Sequence, residues 1–273
     1  MMNGYAAHLS YDLKAGVRDT SHMLMIYLFP IGFFLMIGMF MPRINPEFLD
    51  IMAPGMILFA IMSGTLMTIP FTLIASREGG IFRSFRVNGV PATALITIPV
   101  IGAVIHMAVA TAILTTGSGT IFGALMPVRW APFVLAFGLT ALCFATLAVL
   151  IGIVAQSNRN GTLIAQAIYI PSVMLGGLMV PEALLPDGLR AAASLLPATH
   201  AMRAFNTLAL SGEALTLTTV LPLLVLSASI IVNLILCFAL FQWDSRPLPT
   251  ARRMIALTAV LPFALSILAV QVL

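Results

Sequence analysis

Charge is what this sequence has least of. Asp, Glu, Lys and Arg make up only 8% of its 273 residues, against about 25% in a soluble domain. One lysine occurs, Lys14, between Leu13 and Ala15. A P-loop needs G-x-x-x-x-G-K-[ST], because its lysine reaches the β- and γ-phosphates, so a standard ATPase site is excluded. A retinal Schiff base would need a lysine in the last apolar run, and none is there. No H-E-x-x-H exists for a metalloprotease, and "GSG" at 117–119 is not a nucleophile elbow. Cys143 and Cys237 lie in apolar runs without metal or redox spacing and read as buried thiols. No catalytic, cofactor or metal site is expected in this chain. The first twenty residues contain His8, Asp12, Lys14, Arg18 and Asp19 where a cleavable signal has an apolar stretch, so none is expected.

What is present is oil. The chain is 60% hydrophobic with a mean hydropathy of +1.08, more apolar surface than water-soluble packing hides. Uncharged runs of roughly 18 residues or more read as spanning helices, whose backbone hydrogen bonds close within each segment. The runs are too long and too uniform for barrel strands. An all-α integral membrane protein follows, with spans expected near 22–41, 52–75, 92–115, 131–155, 162–180, 218–242 and 254–273. "MPRINPEFLD", "TTGSGT", "QSNRNG", "VPEALLPDG" and "WDSRPLPTARR" separate them.

The positive-inside rule orients these spans. With the N-terminus cytoplasmic, Lys14, Arg18, Arg77, Arg83, Arg86, Arg159, Arg246, Arg252 and Arg253 fall inside. Arg43, Arg129, Arg190 and Arg203 fall outside. Seven crossings then place the C-terminus outside. The basic pI is a topology signal, and no nucleic-acid partner is expected.

Three segments between or before the spans carry a pattern. Tyr5, Leu9, Leu13 and Val17 recur every four residues, which makes residues 1–21 an amphipathic helix on the cytoplasmic surface; a disordered tail is the alternative. Residues 181–217 are too polar to span, and prolines break them into a re-entrant or interface-lying helical pair. Residues 76–91, "SREGGIFRSFRVNGVP", read as a short cytoplasmic helix. Ser76 would cap it, and Asn88-Gly89 and Pro91 would stop it. Ile81, Phe82 and Phe85 share one face, Arg83 and Arg86 another. Such a helix is too short to stand alone in water, so something must hold it; a plain basic loop is the alternative.

Inside the spans, polar groups are few. Thr65, Thr68, Thr72 and Ser76 form one stripe at helical spacing; Thr162, Gln166, Tyr169 and Ser172 form another. Both suit the wall of a path, or hydrogen bonds between helices. His106 and Asn233 are further candidates for either role. All nine acids lie in loops or at span edges, unlike the mid-membrane carboxylates of ion-coupled carriers.

"PG" at 54–55 and "ASREGGIFRSFRVNGVPATALI" at 75–96 resemble the permease subunit of ABC type-2 exporters, closest to the drug-resistance (daunorubicin-type) members. Arg77, Glu78, Gly79, Ile81, Phe82, Arg83, Phe85, Arg86 and Pro91 match that family's motif; Asn88-Gly89 stands where many members have Ser/Thr-Pro. Pro30 in the first span and "SVMLGGLMVPEALLPDGLRAAASLLPATHAMRAF" at 172–205 extend the likeness, with Gly176, Pro181, Glu182, Pro186 and Pro197 marking the re-entrant segment. The resemblance implies a six-span permease core over 22–243. The remainder, 244–273, is a cytoplasmic loop and an added seventh, C-terminal span. It implies that 76–91 is a coupling helix seated on a separate ABC ATPase, which alone binds ATP and Mg. It also implies pairing with a second copy, or a paralogue, in the plasma or bacterial inner membrane.

The path would then run between subunits, lined by the second and fifth spans through Thr65, Thr68, Thr72, Gln166, Tyr169 and Ser172. Seventeen methionines would offer an adaptable apolar lining, suited to an amphipathic drug, antibiotic or lipid-like molecule. The two tryptophans are few for a sugar-polymer channel. A lipid or polysaccharide exporter, an ion-coupled carrier and a non-transporting scaffold stay open.

Overall fold

The computed structural model describes residues 2–45, 47–214, 216–244 and 248–272. Arg246, one of the cations counted above, and the side chain of His8 lie outside the described residues. The helices in chain order are α1 (Met2–Arg18), α2 (Thr20–Met23), α3 (Phe29–Ile44), α4 (Phe48–Leu66), α5 (Ile69–Glu78), α6 (Ile81–Val87) and α7 (Ala92–Phe122). They continue with α8 (Trp130–Val154), α9 (Asn158–Leu175), α10 (Asp187–Ala193), α11 (Pro197–Ala204), α12 (Leu217–Leu240), α13 (Thr250–Met254) and α14 (Leu261–Val272). No strand occurs among the described residues.

Prolines set the bends. Pro30 has no N–H to donate, and the turn before it, Leu24–Leu28, is a π-turn that joins α2 to α3 as one crossing. Pro262 likewise follows a 3-10 stretch, Ile255–Val260, between α13 and α14. Pro70 interrupts the second crossing: α4 ends at Leu66, the chain turns at Met67 and Thr68, and α5 restarts with proline in its first turn, where a missing N–H costs nothing.

Among the described residues, six crossings are long and apolar enough to span a membrane: Thr20–Ile44, Phe48–Glu78, Ala92–Phe122, Trp130–Val154, Leu217–Leu240 and Thr250–Ala269. The fifth expected span, 162–180, is the 18-residue α9. It falls short of that standard because Asn158, Arg159, Asn160 and Gln166 lie within it. It starts earlier than expected, capped by Ser157. It stops earlier too, at Gly176. A Cβ there would lie 2.3 Å from the Ser172 carbonyl oxygen and 2.7 Å from Ala198 Cβ, so glycine is what lets α11 close against the end of α9.

The third crossing is longer than expected. "TTGSGT" reads as a breaker, yet α7 runs through it to Phe122. Ser118 and Thr120 donate to the carbonyls of Leu114 and Thr116. Thirty-one residues make a helix about 46 Å long, well beyond the 30 Å hydrocarbon core.

The core centres on α4, whose residues from Met52 to Leu66 are all buried. The most apolar stretch of its crossing is 83% buried, against 22% in the first and last. It packs against α3, α7, α8, α9 and α11. The segment expected to be re-entrant folds back into this core: seven of the eight residues of α11 are buried, while α10 stays at the surface. Elsewhere in the bundle, Asn233 donates to Thr146 Oγ1 at 3.4 Å and ties α12 to α8. Asn233 is therefore a helix-to-helix tie.

Candidate functional site

Residues 76–91 form two elements, not the single helix expected. Ser76 is inside α5, not a cap, and α5 runs on to Glu78. Gly80 then takes a left-handed conformation, φ 70°, which an L-residue adopts only with strain, and α6 sets off in a new direction. Its expected end holds: Asn88 caps α6, Gly89 has φ 75° and Pro91 precedes α7.

The two elements sort the motif residues into inward and outward sets. Arg77 is buried at 6% exposure. Its guanidinium donates to the carbonyls of Ile153 (3.0 Å) and Ala155 and lies 3.4 Å from that of Gly152. It therefore caps the C-terminus of α8, where a helix presents orphan carbonyls and partial negative charge. Phe82 is also buried, its ring 5.7 Å from that of Phe241, which in turn meets Trp243 at 5.2 Å. Phe85 is half-buried. So one face of α6 finds its support within the chain. Glu78, Gly79, Ile81, Arg83, Arg86 and Val87 are exposed, and Arg83, Arg86, Val87, Trp243 and Asp244 border an open depression. Arg83 lies 3.5 Å from Asp244, both side chains about two-thirds exposed, so water screens that pair.

Behind this end is a cavity of about 190 Å³ whose mostly apolar wall carries a few polar groups. Thr68, from the break between α4 and α5, and Thr72, in the first turn of α5, line it together with Asp12, Asp19, His22 and His106. Asp19 caps α2 through Ser21 N–H and His22 N–H, which places His22 beside α7. The His22 and His106 rings meet edge-on at 5.8 Å, and His106 Nδ1 lies 2.9 Å from the Tyr27 hydroxyl. Among the described residues no group of His, Cys, Asp and Glu is arranged to hold a metal ion.

The rest of the two expected stripes goes elsewhere. Thr65 is fully buried and donates to its own helix at Ile61. On α9, Gln166 reaches Met67 Sδ at 3.5 Å and Tyr169 lies 6.1 Å from Phe59. Ser172 is fully buried. Within one chain, the polar groups of α9 do not line the cavity that takes Thr68 and Thr72.

At the far end, Glu182 receives a two-pronged ion pair from Arg203, which also donates to Ser194 Oγ at 3.0 Å. Pro181 and Pro186 lead into the turns before Glu182 and α10, and Pro197 opens α11. His200 is buried, with Nε2 2.9 Å from the Ser194 carbonyl oxygen and 3.4 Å from Ser266 Oγ on α14. Burial pushes its pKa down to about 4. Sequence reasoning marked Glu182 but missed Arg203 and His200. The available signal was a charged residue and a histidine within an Ala-rich, otherwise uncharged segment.

Residues 5–210 match the ABC-2 type transporter family. A protein of Bacillus subtilis (strain 168) named "Putative transport permease YvfS" is 25% identical over 196 residues, which cover 69% of this chain and 78% of that protein. The family match takes in most of α1, the Arg77–Pro91 motif and the fold-back through α11. This chain, with its braced short helix at one end of the bundle and its buried fold-back at the other, is therefore a member of the ABC-2 type transporter family.

Proposed function

We propose that this chain is the permease subunit of an ABC exporter, with α6 as its coupling helix and the N-terminus cytoplasmic. A separate ATPase binds ATP and Mg and supplies the hydrolytic site. The observation that carries this reading is the division of α6: Phe82 anchors it to the chain, while Ile81, Arg83, Arg86 and Val87 stay open to a partner. Closure of an ATPase pair would push α6; Arg77 would pass that push to α8, and the break at Thr68 would let α5 move against α4. The cargo is an amphipathic or hydrophobic drug, antibiotic or lipid-like molecule, moved outward between two copies of the chain, with Gln166 and Tyr169 on its path. Residues 1–21 would serve as the interface helix, 22–243 as the transport domain and 244–273 as the added loop and span. Lipid or polysaccharide export is the neighbouring alternative.

The test is co-expression with the ATPase encoded beside it, followed by pull-down and transport in vesicles. Arg83→Glu with Arg86→Glu is expected to cut recovery of the ATPase at least tenfold and abolish ATP-dependent efflux. Intact assembly and efflux in that variant would sink the coupling assignment. A second reading, an ion-coupled carrier, draws on Asp12, Asp19, His22 and His106 around one cavity. It requires transport driven by a proton gradient without ATP, which the same vesicles measure.

A further inference from the structure

The added C-terminal helices build a groove that the transport reading does not use. α13 runs into the 3-10 stretch Ile255–Val260, which packs against α12. Between them and α9, over α8, lies a gap of about 280 Å³. Its walls are Leu150 and Ile151 on α8, Ile164 and Ile168 on α9, and Ala256 and Val260 opposite. Ile168, Leu147 and Val260 mark one end; Asn160, Val154 and Arg253 mark the other. Eight residues from Asn160 to Ile168 give a length of about 12 Å, close to the roughly 15 Å depth of one leaflet's hydrocarbon.

The mouth is cationic. Arg253 borders the groove, and Arg159 and Arg252 stand exposed on the same segments. Neither 155–160 nor 248–254 contains an acid. The terminal nitrogens of Arg253 are oriented by the Gln156 side-chain oxygen (3.0 and 2.9 Å) and Thr250 Oγ1 (2.9 Å). These are neutral partners that leave its charge uncompensated. Its Nε is buried without a partner.

We propose that this groove binds an anionic phospholipid, one acyl chain between α9 and α13 and the phosphate on Arg253. An arginine fork matches phosphate oxygens in geometry as well as charge, and the apolar walls suit hydrocarbon. Given the N-inside orientation proposed above, the lipid comes from the cytoplasmic leaflet. The added span then has a function: it completes a lipid seat beside α8, the helix that Arg77 caps.

The test is native mass spectrometry of the full chain in detergent, titrated with phosphatidylglycerol, phosphatidylcholine or diacylglycerol. Wild type is expected to retain phosphatidylglycerol at least fivefold more than either other lipid. Arg253→Gln should remove that preference, and Ala256→Phe, which fills the groove, should lower retention of phosphatidylglycerol at least fivefold. Equal retention of the three lipids by wild type overturns the proposal. So does wild-type retention of phosphatidylglycerol in either variant. The two variants act independently, so poor folding of one leaves the other decisive. Neither residue belongs to the α6 face, so failure here leaves the exporter reading standing, and loss of ATPase assembly leaves the lipid seat standing.

Discussion

Two short helical pairs, one at each end of the bundle, solve the same chain-reversal problem with opposite outcomes. At one end α5 and α6 meet at Gly79-Gly80; at the other α10 and α11 meet before Pro197. In α6 only Phe82 is buried, while in α11 seven of eight residues are. The charged groups divide accordingly. Arg203 and Glu182 at the far end are partnered with each other, whereas Arg83 and Arg86 on α6 face outward. The difference teaches which surface is finished. The fold-back of α11 is part of the core; α6 is braced by Phe82 and keeps its outer face exposed.

Arg77 tests that contrast hardest, because it is the one cation of the α5–α6 pair treated like a core group. Arg77→Ala is expected to lower the stability of the purified chain by about 3 kcal/mol, since it leaves the buried carbonyls at the end of α8 without their charged donor. Thermal unfolding in detergent measures this, and Arg77→Lys should recover part of it. An alanine variant as stable as wild type would show that the brace is not structural.

His200 tests the far end. Its folded-state pKa of about 4 lies below the ordinary 6.5, so the unfolded chain binds the proton first and stability falls as pH drops. The loss begins below about pH 6.5, is complete near pH 4 and amounts to about 3 kcal/mol. His200→Gln should lessen the loss of stability across that window. Unfolding curves at pH 7, 6, 5 and 4 decide it; equal slopes for both proteins would refute the assignment.

The smallest effect belongs to the outward pair. Arg83→Ala and Asp244→Ala should each change stability by less than about 0.5 kcal/mol. A larger change in the isolated chain would mean that α6 is held by this pair as well as by Phe82.

Much of this architecture was legible beforehand. Apolar runs announce crossings because a bilayer leaves the backbone no partner but itself. That same constraint explains the misreading of 116–122: Gly, Ser and Thr break helices where water competes for the backbone, and here they do not. The signal dividing 76–91 was also in plain view as Gly79-Gly80, but the amphipathic pattern ran across it. Gln166 and Thr68 looked like members of facing stripes because each sits at helical spacing. The turn at Met67 and Thr68 sends them to different surroundings.

From the order of its residues alone, this protein is committed to a helical membrane bundle with one basic end. Hydropathy and charge act locally, and no distant contact reverses them. Only the tertiary structure decided which arginine is a brace and which is a surface. Arg77 and Arg83 are alike in chemistry and lie in the same short segment. What separates them is that the carbonyl end of α8, some 75 residues away in the chain, arrives beside one of them and not the other.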